Sequence, residues 1–73
     1  MKPKYKIGEI VKVYEYYADG DIVKDVYHGL IVDRTIHDLA GMGTHVIYDI
    51  LPNNEKRPSI ERAEEFALES LEI

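Results

Sequence analysis

Apolar and polar residues alternate along several stretches of this chain, and each stretch reads as a β-strand. In residues 44–51, Val46, Tyr48 and Ile50 share one face, while His45, Ile47, Asp49 and Leu51 share the other. That period of two is what a pleated strand imposes. Residues 7–17 show the same pattern: Val11 and Val13 point one way, and Ile10, Lys12, Tyr14 and Tyr16 the other. β-branched and aromatic side chains dominate both stretches, as a half-buried pleat prefers. Residues 26–36 are more uniformly apolar. Within them, His28-Gly29-Leu30-Ile31-Val32-Asp33 reads as a buried strand, with Gly29 admitting close packing or a bulge.

Turn residues divide these runs. Ala18-Asp19-Gly20-Asp21 predicts a hairpin closed by a type I′ turn, with residues 22–24 as the return arm. Residues 37–43 read as a loop in which two glycines bracket Met42, and Pro52-Asn53-Asn54 ends the third strand. Residues 59–72 admit two readings. Ile60, Ala63, Ala67 and Leu71 fall at helical spacing behind a capping Ser59, which would make an α+β domain. The other reading runs a strand through Ile60 and Arg62, then one helical turn near residues 68–71, then a terminal β pair. The expected core is Val11, Val13, Leu30, Val32, Val46, Tyr48, Ile50, Phe66 and Leu71, the apolar positions that alternate or end a segment.

Five short segments with this punctuation predict an all-β, five-stranded small barrel that resembles the SH3-like fold. The pieces that carry the resemblance are Lys6-Ile7-Gly8-Glu9-Ile10-Val11-Lys12-Val13, His28-Gly29-Leu30-Ile31-Val32-Asp33, Val46-Ile47-Tyr48-Asp49-Ile50-Leu51 and Phe66-Ala67-Leu68-Glu69-Ser70-Leu71-Glu72-Ile73. The first resembles the opening strand of such barrels, and the last resembles a 3₁₀ turn running into the closing strand. Small proteins of tailed bacteriophages and of bacteria are similar in this way. The resemblance implies a fold more than a task, because small barrels host many unrelated functions.

Length and composition narrow the class. The 73 residues make one domain, residues 1–73, and a chain this short buries only about 60% of its unfolded surface. Domains of that size often lean on a staple or a partner. There is no cysteine, which rules out a disulfide and a thiolate zinc site. The net charge of −5 disfavours a general nucleic-acid binder, because phosphate neutralisation supplies most non-specific affinity. A nucleic-acid-binding barrel, using Lys2, Lys4, Lys6, Tyr5 and Arg34, is the alternative reading. The apolar runs are far too short to cross a membrane as a helix, and the N-terminus lacks the apolar stretch of a signal peptide. The expected location is the cytoplasm, or the virion for a phage-encoded chain.

Catalytic machinery is not expected: the chain has no serine elbow, no cysteine nucleophile and no phosphate-cradling glycine loop. Nor is a cofactor or metal expected, since His28, His37 and His45 lie apart and His45 stands roughly 13 Å from Asp49 along a strand. The most suggestive cluster is aromatic and acidic: Tyr14, Tyr16, Tyr17 and Tyr27 with Asp19, Asp21 and Asp25. By resemblance to peptide-binding SH3 domains, tyrosines on this strand and acids in this loop would hold a Pro-rich, Arg-containing segment. The chain departs from those domains in having no tryptophan and no Pro-x-x-Tyr near its end. The reading is therefore a non-enzymatic protein-interaction or structural accessory module, its partner another protein or a second copy of itself.

Overall fold

A computed structural model describes residues 3–20, 22–41 and 43–71 of the protein. It is all-β. Five strands, β1 (Ile10–Tyr16), β2 (Val23–Leu39), β3 (Gly43–Pro52), β4 (Glu61–Glu64) and β5 (Leu68–Ser70), form one antiparallel sheet in the order β4-β3-β2-β1-β5. A 3₁₀ turn, Glu65–Ala67, joins β4 to β5. Residues 59–71 therefore follow the strand reading and not the helix 59–72, with the turn earlier than residues 68–71. Among the described residues no ladder joins β4 to β5, so the sheet curls around its core without closing into a barrel. The 3₁₀ turn carries the chain from one sheet edge to the other, with no hairpin to pair the two strands. Among the described residues no helix is long and apolar enough to cross a membrane.

Both hairpins differ from expectation. The first turn is not type I′, because that turn needs positive φ at both central residues and no described non-glycine residue has one. Instead the Gly20 N–H donates to the Tyr17 carbonyl at 2.8 Å, and Gly20 alone takes the left-handed conformation, φ 79°. The expected loop over residues 37–43 is mostly strand: β2 runs on to Leu39, which pairs with Gly43.

The core is Tyr5, Val11, Val13, Tyr27, Ile31, Val46, Tyr48, Ile50 and Leu68, with Ala63 packed against it. Leu30, Val32, Phe66 and Leu71, expected inside, are exposed. For β2 the reason is a bulge. Ile31 pairs with Ile50 and Asp33 with Asp49, so Val32 has no opposite residue. Such an extra residue flips the phase of the strand. Before the bulge Tyr27, Gly29 and Ile31 face inward; after it Arg34 lies opposite the buried Tyr48. At the C-terminus Ala67 and Leu68 fill the core in place of Phe66 and Leu71. Gly29 is required by packing, since a Cβ there would run into the Ile50 Cγ2.

Tyr5 plugs the core from outside the sheet. Its ring meets Tyr48 edge-on, with centroids 5.7 Å apart, and its hydroxyl donates to the Leu68 carbonyl at 2.9 Å. The Tyr5 N–H donates to the Tyr48 hydroxyl at 3.1 Å, and that hydroxyl donates to Glu65 Oε2 at 2.6 Å. Arg34 Nη1 donates to the Tyr5 carbonyl at 2.8 Å. Four distant segments are thus joined through buried and half-buried polar groups that are paired, as buried polar groups must be.

Candidate functional site

The register of β1 on β2 sets two carboxylates side by side: Glu15 lies directly opposite Asp25. Like charges at such positions repel. The loop after β3 relieves them. The Asn53 N–H donates to the His28 carbonyl at 2.8 Å, Asn54 Oδ1 accepts from the Lys56 N–H at 2.9 Å, and the Asn54 carbonyl accepts from the Arg57 N–H at 3.0 Å. This turn folds Arg57 back over the end of the sheet. Its guanidinium holds Glu15 with two bonds of 2.8 and 3.0 Å, Asp25 at 2.8 Å and Glu61 at 3.2 Å. It also lies 4.4 Å above the Tyr27 ring, in cation–π geometry. The bonds from Arg57 hold the Glu15 and Asp25 carboxyls below their ordinary range, and the same bonds raise Arg57 further. Burial, with the charge of Glu61, pushes the Tyr27 phenol up.

Beside this cluster a groove of about 180 Å³ runs between β1 and β4, with Val13, Glu15, Tyr16, Tyr27, Ala63 and Phe66 in its lining. A second groove of about 240 Å³ lies beyond the 3₁₀ turn, against Thr44, His45, Val46, Glu64 and Glu65. Phe66 lines both. The residue is 71% exposed, and its ring meets Tyr16, centroids 5.9 Å apart. Glu64 and Glu65 precede it, and the Glu65 carboxylate is held by the Tyr48 hydroxyl and the Lys4 N–H. His45 Nδ1 lies 3.6 Å from Glu64 Oε1.

The predicted cluster is thereby divided. Tyr16, Tyr27 and Asp25 meet at this end of the sheet, but Tyr27 and Asp25 are engaged by Arg57. Tyr14 also lines the groove between β1 and β4, while its hydroxyl donates to Glu69 Oε2 of β5 at 3.4 Å and Lys12 Nζ lies 5.4 Å from the centre of its ring. Tyr17 and Asp19 are exposed in the first hairpin turn, and Asp21 lies outside the described residues. Arg57, Glu61 and Phe66 were not singled out as site residues by sequence reasoning. No local signal marks Arg57, because its partners are set by strand register. Phe66 carries a signal, as the only phenylalanine beside six tyrosines, but an apolar ring near the end of a segment reads equally as core.

No protein-family model matches the chain, and no curated protein or solved structure matches it either.

Proposed function

We propose that this domain is a non-enzymatic protein-binding module whose contact surface centres on Phe66. One observation carries the reading: a phenylalanine, 71% exposed, stands on a 3₁₀ turn as the shared wall of two grooves. Leaving such a ring in water forgoes about 1.5–3 kcal/mol of burial. A bound segment recovers that energy, and exposed aromatics of this kind become the hot spots of interfaces. The partner is an extended, basic segment. It places apolar side chains on either side of Phe66, and its cations meet Glu61 and Glu64. The three carboxylates gathered on Arg57 exceed its single positive charge, and a negative surface of this kind speeds the approach of a cationic partner.

The same geometry weighs against the nucleic-acid reading, because all three arginines are already engaged. Arg57 holds three carboxylates, Arg34 holds the Tyr5 carbonyl, and Arg62 lies 3.4 Å from Asp49. Selection from a random-peptide display library tests the proposal. Selected peptides should carry an apolar residue flanked by Lys or Arg. The Phe66→Ala variant should bind them about 30-fold or more weakly at an unchanged melting temperature. Failure to select any peptide, or affinity indifferent to Phe66→Ala, contradicts it.

A further inference from the structure

Two strand edges face each other across the groove between β1 and β4. β5 pairs with β1 only at Val11, Lys12 and Val13, so residues 14–16 of β1 have no neighbouring strand on the side away from β2. β4 pairs with β3 along its whole length, Glu61–Glu64, and no strand lies on its other side. Among the described residues, no backbone–backbone hydrogen bond joins either stretch to another element on that side. The curl of the sheet brings both edges to one groove, which Tyr14, Glu15 and Tyr16 line from one side and Glu61, Ala63 and Glu64 from the other. The 3₁₀ turn bounds the groove where β4 ends, with Phe66 and Ala67 in the lining. An unpaired strand edge is a template for another strand.

We propose that the basic, extended segment received at Phe66 binds by β-strand addition, pairing its main chain with the outer edge of β4. The mode rests on peptide binding at Phe66 and adds the backbone hydrogen bonds that hold the segment. β4 supplies the ladder because its edge is continuous, whereas β1 is interrupted by the register shift between Glu15 and Tyr16 and serves as the facing wall. The pattern of β4 sets that of the segment. Ala63 packs against the core, and the next residue, Glu64, is exposed. Side chains alternate across a strand, so the residue paired with Ala63 points into the groove, toward Val13 and Ala67, and the residue paired with Glu64 points out. An apolar side chain suits the first place. Lys or Arg suits the second, because opposite charges attract across a strand pair. Charge also decides the occupant. Glu15, Glu61 and Glu64 line the groove, in a chain whose net charge is −5. A second copy paired antiparallel along the whole of β4 would set Glu61 opposite Glu64 twice, and like charges so placed repel. A basic segment meets the same acids favourably.

A backbone scan of a display-selected peptide tests this, with the full chain unaltered. Methylating one peptide nitrogen at a time removes a main-chain donor and leaves every side chain in place. In an antiparallel strand bound along one edge, only alternate residues bond to that edge. Methyl groups at alternate positions should therefore weaken binding about 10-fold or more, and those at the positions between should be tolerated. In the complex, hydrogen exchange should slow at β4 amides. A peptide that binds through Phe66 yet tolerates a methyl at every position, or loses affinity without a period of two, overturns strand addition and leaves Phe66 as the contact. So does unchanged exchange in β4. Failure to find any peptide that depends on Phe66 overturns both. Exchange in β4 that slows with protein concentration alone, without peptide, overturns the proposal in favour of a second copy.

Discussion

At the scale of single residues, stability rests on a few fully paired groups. The Tyr48 hydroxyl accepts from one segment and donates to another. Tyr48→Phe removes the acceptor of the buried Tyr5 N–H and should cost about 1–3 kcal/mol by denaturant titration. Burial and the bond to Glu65 push the Tyr48 phenol up to about 12. A phenol whose folded pKa lies above its unfolded value of about 10 stabilises the fold fully below that pH. The contribution is lost as pH rises toward the folded value. Wild-type stability should therefore fall between about pH 10 and 12, and Tyr48→Phe should fall less steeply. A second pair of substitutions reads the phase of β2. Ile31→Ala should cost about 2–5 kcal/mol, while the exposed Leu30→Ala should cost well under ~1 kcal/mol. Equal losses would mean that the strand faces the other way.

At the scale of elements, legibility followed length and regularity. β1 and β3 were assigned to the correct faces because each keeps a period of two, with Val11 and Val13, and Val46, Tyr48 and Ile50, buried. β2 is apolar on both sides of Ile31, so its pattern could not reveal the bulge at Val32 that reverses its phase. β4 and β5 span four and three residues, too few to show a period, and Ile60, Ala63, Ala67 and Leu71 imitated a helix by chance. Arg57 was invisible for a different reason: nothing local says that Glu15 will lie opposite Asp25. The clamp that results joins β1, β2, β4 and the loop after β3. Because the folded pKa values of Glu15 and Asp25 are depressed, the stability they contribute is present above their ordinary values, near pH 4. It is lost as pH falls through the lower folded values. Arg57→Ala should therefore destabilise the domain more at pH 7 than at pH 3, measured as the melting temperature against wild type at each pH. An equal loss at both would show that Arg57 acts by packing on Tyr27 alone.

At the scale of the whole molecule, a small all-β sheet presents two separate apolar surfaces, the Phe66 grooves on one side and the exposed Ile10, Leu30 and Leu51, paired in a row, on the outer face. The sequence announced a tyrosine-rich, acidic contact region. In the fold Tyr27 and Asp25 meet Arg57, and Phe66 stands exposed with Tyr16 at its side. As proposed, Phe66 and its two grooves receive a basic, extended segment. The most direct measurement is a ¹H–¹⁵N chemical-shift titration of the domain with a peptide obtained by display selection. Shifts should concentrate at Tyr16, His45, Glu64 and Phe66, and Ile10, Leu30 and Leu51 should remain unmoved. Shifts confined to the Ile10–Leu30–Leu51 face, or distributed over Lys4, Lys6 and Lys12 and matched by a single-stranded oligonucleotide, would contradict it.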